Sequence, residues 1–247
     1  YVFGDSNSYG VWLEKMEFKD GTGAGVSLGN YVVIYNVNVH DYTSSSGILI
    51  GSKSHALWCR SFNNGADGFN ISFGSTIQYC VASENDGDGF DFISNRSHLK
   101  GSVAHQNGAY GVKFAGGECS ITDCILDGNT TAGCKHDDNN ELFVSERNIF
   151  TNQTGAGTGL FSDAPKLCFD NNSHYYNNGT DATSGVIQSG KTTGDPLYID
   201  LANDDFRLQA GSPCVHDSYG SFFAVDPVLS KGAAAHPGNI MHPVVLG

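Results

Sequence analysis

Acidic side chains and a lysine recur beside glycines in three short segments of this 247-residue chain. Asp67 precedes one glycine of the series and Asp88 the next. Asp86 lies three residues before that second glycine, and Asp91 follows it by two residues. Carboxylates gathered at one place repel each other unless they are solvated or bind a hard cation, and calcium accepts about six to eight oxygen ligands. The pattern therefore predicts a calcium site formed by Asp67, Asp86, Asp88 and Asp91. The alternative is an acidic turn that binds no metal.

Lys113 follows the next glycine of this series by two residues, the position that Asp91 holds one repeat earlier, and Lys135 follows one repeat later. A calcium ion and a second ammonium group both disfavour a protonated lysine and lower its pKa. A general base that works near neutral pH needs such a pKa. We therefore expect Lys113 to be a catalytic base, with Lys135, Asn70 and Tyr110 binding substrate beside it. The alternative is a solvated lysine on a sheet face.

The segments that carry these residues belong to an internal repeat, in which a glycine is followed by an apolar, a variable and an apolar residue. Successive occurrences are 15, 22, 21, 21, 22, 22 and 26 residues apart. They occupy residues 10–13, 25–28, 47–50, 68–71, 89–92, 111–114, 133–136 and 159–162. Strand alternation directs the first and third residues after the glycine inward and the second outward. The period predicts an all-β fold, a right-handed parallel β-helix with coils of about 22 residues.

Two further columns of the repeat indicate how the interior is filled. An asparagine stands four residues before the glycine in four successive coils, at Asn64, Asn85, Asn107 and Asn129. Stacked asparagines can hydrogen-bond one another in a ladder along the turn. Three of the seven cysteines, Cys59, Cys80 and Cys124, share an inward column, and Cys134 lies in another. Because a free cysteine packs like a small apolar residue, we expect these four to be buried thiols.

The repeat fades after residue 161, which divides the chain into two parts. Residues 1–194 are expected to form the coils. Residues 195–247 are expected to form a closing segment, which caps the open end of the core, and a tail that lies along the coils. Repeats begin at the N-terminus without a matching cap, so we expect further coils upstream. The sequence begins without methionine or a signal peptide, which is typical of a processed chain or part of a longer precursor.

Charge and composition restrict the partners. The net charge of −13 disfavours nucleic acid as a partner. No stretch reaches the roughly 18 apolar residues of a membrane span. Six Asn-x-Ser/Thr sequons favour a secreted, extracellular protein that carries N-linked glycans. They begin at Asn70, Asn95, Asn129, Asn152, Asn171 and Asn178.

Residues 66–117, with the segments ADGF, ENDGDGFDF and YGVKFAGG on three successive coils, resemble the pectate lyases of polysaccharide lyase family nine. The resemblance implies a calcium-dependent β-elimination of a uronic-acid polymer, pectate or polygalacturonate. It implies calcium ligands at Asp67, Asp88 and Asp91 and a lysine base at Lys113. That family has two adjacent aspartates where this chain has Gly87 and Asp88. We therefore expect Gly87→Asp to add a calcium ligand.

Two other functions are compatible with the same residues. An inverting glycoside hydrolase needs two carboxylates with space for a water between them, and the acidic residues here would supply them. The lysine column, and the absence of an Asn-Thr-Asp motif like that of polygalacturonases, favour the lyase. A non-enzymatic extracellular β-helix, with an adhesive, cell-wall-binding or fibre-forming role, is the second alternative.

Overall fold

The computed structural model describes residues 9–137, 141–154, 157–163 and 167–214. Within these residues, each coil of the chain contributes one short strand to each of three parallel sheets, and every strand pairs with its equivalents in the preceding and following coils. The predicted right-handed parallel β-helix is thereby confirmed. No helix in this part of the chain is long and apolar enough to cross a membrane.

The sheets take their strands in strict rotation along the chain. The first sheet consists, in the described ranges, of Trp12–Glu14, Val33–Tyr35, His55–Leu57, Thr76–Gln78, His98–Lys100, Cys119–Thr122, Phe143–Glu146, Cys168–Asn171 and Ile187–Ser189. The second sheet consists there of Glu17–Lys19, Asn38–His40, Arg60–Phe62, Val81–Ser83, Val103–His105, Ile125–Asp127, Ile149–Thr151, His174–Tyr176 and Thr192–Thr193. The third consists there of Val26–Leu28, Ile48–Ile50, Phe69–Ile71, Phe90–Phe92, Tyr110–Phe114, Ala132–His136, Thr158–Ser162 and Thr180–Ala182.

The repeating glycines introduce the strands of the third sheet, as the period predicts. Phe69 pairs with Phe90 and Phe90 with Val112, so that equivalent positions stack coil upon coil. These three side chains are fully buried, and the rings of Phe69 and Phe90 stack with centroids 4.8 Å apart. The alternation of inward apolar and outward variable residues therefore fixes which side chains of this sheet face the solvent.

The predicted asparagine ladder runs along the turn between the second and third sheets. The side-chain nitrogen of each asparagine donates to the side-chain oxygen of the next, at 2.9 Å from Asn64 to Asn85, 3.0 Å from Asn85 to Asn107 and 3.0 Å from Asn107 to Asn129. All four residues are buried. The ladder satisfies backbone groups that the turns would otherwise leave without partners.

The seven cysteines are all buried, as predicted for four of them. Cys59, Cys80 and Cys124 line the turn between the first and second sheets, where the backbone N–H of Cys59 lies 3.3 Å from the sulfur of Cys80. Burial raises the pKa of Cys124 to about 12. Thiols in such surroundings pack like apolar groups and are chemically unreactive.

The described part of the closing segment lies on the flank of the solenoid. Tyr198–Asp200 and Asp205–Leu208 form an antiparallel pair joined by a 3₁₀ helix at Leu201–Asn203. Tyr198, Phe206, Leu208 and Cys214 pack on a row of apolar side chains that the second sheet turns outward, Val81, Val103, Ile125 and Ile149. The sequence-based expectation of a capping segment does not include this lateral contact. Residues 215–247 lie outside the described residues.

A buried ionic contact fastens this hairpin to the coils. His105 Nδ1 lies 3.0 Å from Asp127 Oδ2 on the neighbouring coil, and His105 Nε2 lies 3.0 Å from Asp204 Oδ1 of the hairpin. Burial disfavours the charged imidazole, but the two carboxylates outweigh it and raise the pKa of His105 to about 9. His105 is therefore protonated at neutral pH and bridges the two acids.

His105→Ala is expected to lower the free energy of unfolding by about 3 kcal/mol, because it leaves two carboxylates without their counter-charge. The folded-state pKa is raised, so the stabilisation is complete below about pH 6.5 and disappears as the pH rises through about 9. Urea unfolding of the wild type and the variant across this range measures both effects. A difference between them that is equally large above pH 9 would contradict the ionic explanation.

Candidate functional site

The outward face of the third sheet brings the predicted catalytic residues together. Asn70 pairs with Asp91, Asp91 with Lys113, Lys113 with Lys135 and Lys135 with Phe161, each on the next coil. Adjacent strands of a sheet are about 4.8 Å apart, so these five side chains form a continuous row along the solenoid. The sequence predicted this row correctly, because it follows from the glycine register alone.

Lys113 lies between two acids at the centre of the row. Its Nζ is 3.5 Å from Asp91 Oδ1 and 3.8 Å from Asp88 Oδ2. Burial disfavours the ammonium form of Lys113, but Asp91 and Asp88 outweigh that effect and raise its pKa. This direction is the opposite of the lowered pKa expected for a base beside calcium. Both described ion-pair partners of Lys113 are carboxylates, and Lys113 therefore carries a positive charge.

Asp67 and Asp88 each use one carboxylate oxygen to hold the backbone of the next coil. Asp67 Oδ1 accepts the N–H of Asp88 at 2.9 Å, and Asp88 Oδ1 accepts the N–H of Tyr110 at 3.0 Å. Burial, together with the charges of Asp67 and Asp91, raises the pKa of Asp88 to about 6, although the bond from Tyr110 and the charge of Lys113 act in the opposite direction. One oxygen of each carboxylate is therefore structural. Of the second oxygens, Asp67 Oδ2 accepts the hydroxyl of Ser46 at 3.4 Å, and Asp88 Oδ2 faces the ammonium of Lys113.

The remaining carboxylate oxygens are suited to binding a cation. Asp91 Oδ1 is buried and accepts no hydrogen bond from the described residues, and burial raises the pKa of Asp91. The ammonium of Lys113 faces this oxygen and Asp88 Oδ2, which shows that a positive charge is accommodated there. Among the described residues, no three His, Cys, Asp or Glu side chains are already arranged as metal ligands. Calcium binding at these oxygens would therefore require Lys113 to move away from them.

Asp86, predicted as a further calcium ligand, lies apart from this cluster. It is exposed and lines an open depression of about 300 Å³ on the turn between the second and third sheets, together with Asp41 and Asn63. It takes no part in the described hydrogen bonds and ion pairs that join Asp88 to its neighbours. It was predicted as a ligand because it lies in the turn just before Asp88, and the direction of a side chain in a turn does not follow the alternation of a strand.

Lys135 has partners that the sequence analysis did not foresee. Its Nζ is 2.7 Å from Asp137 Oδ1 and 4.0 Å from Asp163 Oδ2. It also lies 5.2 Å from the ring centroid of Tyr110 and 5.5 Å from that of Phe161. Asp137 could have been found from the sequence, since it follows Lys135 by two residues and therefore leaves the sheet on the same face.

Gly87 is required by the close approach of two coils. A Cβ atom at this position would lie 2.5 Å from Asp67 Oδ1 and 2.9 Å from the carbonyl carbon of Ala66. The backbone N–H of Gly87 donates to the carbonyl of Ala66 at 3.0 Å, which fixes this spacing. The residue that departs from the pectate lyase pattern is thus a steric necessity of this turn.

Gly87→Asp is therefore expected to destabilise the protein by about 1–3 kcal/mol through overpacking, and not to add a calcium ligand. This reverses the expectation drawn from the family pattern. Thermal unfolding with and without calcium measures the outcome, with Asp86→Asn as a control that alters the same turn without adding a Cβ atom. A Gly87→Asp variant that is as stable as the wild type and binds calcium more tightly would contradict the steric explanation.

Two comparisons with known proteins gave a match. A family model described as a right handed beta helix region matches residues 1–119. The crystal structure of pectate lyase Pel9A is similar at 15% sequence identity, with a TM-score of 0.46, over 82% of this chain and 59% of that one. The chain thus spans well under two thirds of that protein. No curated protein matches the sequence. The family model agrees with the parallel β-helix of the structure, and the activity is inferred from the site.

Proposed function

We propose that this protein is a calcium-dependent polysaccharide lyase that cleaves a uronic-acid polymer, such as pectate or polygalacturonate, by β-elimination. The observation that supports this most is the row on the third sheet, where the ammonium of Lys113 lies 3.5 Å from a buried carboxylate oxygen of Asp91. A base and an anionic cation-binding cluster therefore occupy adjacent coils of one solvent-facing surface. A row of side chains that crosses successive coils suits an extended polymer.

In this mechanism, Lys113 removes the C5 proton of a uronate residue, and the glycosidic bond at C4 breaks without water. Lys113 must be neutral to act as a base, and Asp88 and Asp91 keep it protonated while they face it. Asp67, Asp88 and Asp91 would hold the calcium ion, which, when bound, offsets the charge of the substrate carboxylate and acidifies the C5 proton. Asn70 and Tyr110 lie on either side of the acids, where they can position the sugar.

An extracellular location belongs to the same proposal. A polymer substrate of this size is met outside the cell, and the sequons fit a glycoprotein. Asn129 is an exception among the sequons, because its side chain is fully buried in the asparagine ladder. We expect glycans, where present, at other sequons, and peptide mapping of the glycosylated residues checks this.

A screen of uronic-acid polymers tests the activity. The full-length protein is incubated with polygalacturonate and other uronates, with calcium or with a chelator, and the unsaturated product is followed by its ultraviolet absorbance. The proposal predicts product only with calcium, and loss of product on chelation that added calcium restores. Absence of product from every polymer would overturn it.

One observation favours a non-enzymatic β-helix as the second candidate. Asp67 and Asp88 both cap the backbone of the next coil, and Lys113 and Lys135 are each paired with acids. These contacts stabilise the solenoid without any substrate. Binding of a cell-wall polysaccharide with no product formed would support this adhesive or cell-wall-binding role.

A further inference from the structure

On the outward face of the third sheet, the surroundings of Lys135 differ in their charged and aromatic side chains from the surroundings of Lys113. Lys135, one coil further along, is 18% exposed in its side chain and is hydrogen-bonded to Asp137 at 2.7 Å. Asp163 lies 4.0 Å away on the following coil. Two carboxylates against one ammonium leave this place negatively charged, as far as the described residues are concerned. Lys135 is therefore not available as a partner for a substrate carboxylate.

Two aromatic rings lie on either side of Lys135. The centroids of Tyr110 and Phe161 are 5.2 Å and 5.5 Å from its Nζ, and both residues are partly exposed. The alkyl chain of lysine packs along apolar surface while its charged end is bound elsewhere. Tyr110, Lys135 and Phe161 thus present a mostly apolar surface that spans three coils. Sugar rings without charge bind to such surfaces through their C–H faces, whereas a carboxylate would lose its hydration there and gain no partner.

We propose that Tyr110, Lys135, Phe161 and Asp137 form a subsite for an uncharged sugar residue next to the residue that reacts. The preferred substrate is then a uronate polymer whose free carboxylates are interrupted, either by neutral sugars or by methyl-esterified uronates. This inference rests on the proposed function, because it places the subsite beside Lys113 as the base. It deepens the sequence-based expectation that Lys135 binds substrate, because it assigns an uncharged sugar to this position.

Three polymers at equal concentration distinguish the sources of the uncharged residue. They are fully de-esterified polygalacturonate, partially methyl-esterified polygalacturonate and a polymer in which uronate alternates with a neutral sugar. The full-length protein with calcium should cleave at least one of the last two faster than the first. Preference for the alternating polymer identifies a neutral sugar, and preference for the esterified one identifies the ester.

Asp137→Asn tests the role of the ion pair. The substitution frees the ammonium of Lys135, so cleavage of the de-esterified polymer should rise about two- to fivefold relative to the preferred polymer, the range that partly exposed charge pairs support. Phe161→Ala should slow cleavage of the preferred polymer more than that of the de-esterified one. Asp123→Asn is the matched control, since it removes the partner of Arg147 on a distant turn and should leave the ratio unchanged.

Fastest cleavage of the de-esterified polymer by the wild type would overturn the inference, and so would an unchanged ratio in Asp137→Asn. If no polymer is cleaved, the proposed function fails, and the subsite is then tested by the binding of oligosaccharides alone. Calorimetry with trigalacturonate and with a neutral trisaccharide then gives the answer. Tighter binding of the neutral sugar, lost in Phe161→Ala, supports the subsite, and tighter binding of trigalacturonate overturns it.

Discussion

Lys113→Ala is expected to abolish lyase activity almost completely, with a rate loss of about 100- to 10,000-fold, the usual contribution of a positioned general base. Lys113 lies on the solvent side of the third sheet, so its removal opens no cavity in the core. The free energy of unfolding should change by about 1 kcal/mol at most, because the ion pairs are partly exposed. The rate of product formation and the urea midpoint of the same preparation measure both quantities.

Two controls separate the role of Lys113 as a general base from the role of its positive charge. Lys113→Arg keeps a cation beside Asp91 but raises the basicity of the side chain, so it should remain folded and inactive. Lys100→Ala removes an exposed lysine from the first sheet and should retain full activity. Retained turnover in Lys113→Ala would remove this residue from its proposed role. A loss of stability well above 1 kcal/mol would show instead that its role is structural.

Asn107→Ala is expected to destabilise the protein by about 3–5 kcal/mol, more than any substitution on the outward face. The side chain of Asn107 accepts hydrogen bonds from the backbone and side-chain nitrogens of Asn85, at 3.3 Å and 3.0 Å. It donates to the carbonyl of Ala82 at 3.1 Å and to Asn129 at 3.0 Å. Alanine leaves these buried partners unsatisfied, and each costs about 1–3 kcal/mol.

Asn38→Ala is the matched control for this prediction. Asn38 is an asparagine on the outward side of the second sheet, partly exposed, and its loss should change stability by about 0.5 kcal/mol or less. Chemical unfolding of both variants gives the comparison. Equal effects of the two substitutions would mean that the ladder contributes no more than an ordinary surface amide, which would contradict its proposed importance.

The register of the solenoid could be predicted from the sequence, and the contacts across its surface could not. A column such as Phe69 and Phe90 is visible because each coil repeats the same spacing, and the placement of Asp91 beside Lys113 follows from it. The requirement for Gly87 arises from the short distance between two turns, and this distance cannot be inferred from the residue types alone.

The position of the closing hairpin depends on a contact between parts of the chain that lie far apart. Ile125 and Val103 look like ordinary strand residues in the sequence, although they face outward and are covered by Phe206 and Leu208. The salt bridge from His105 to Asp204 has the same origin, since it joins residues about one hundred positions apart. Periodicity finds neighbours in successive coils, and it contains no information on where a non-repeating segment docks.

The docking of the hairpin changes how the repeat array unfolds. In a solenoid, each repeat contacts only its neighbours, so the ends of the stack can open one coil at a time. The row Val81, Val103, Ile125 and Ile149 joins the hairpin to four consecutive coils at once. The same four coils carry Asp91, Lys113, Lys135 and Phe161 on their strands of the third sheet. We therefore expect the hairpin to couple these four coils into one cooperative unit, so that fraying from the ends of the stack stops before it reaches Asp91, Lys113, Lys135 and Phe161.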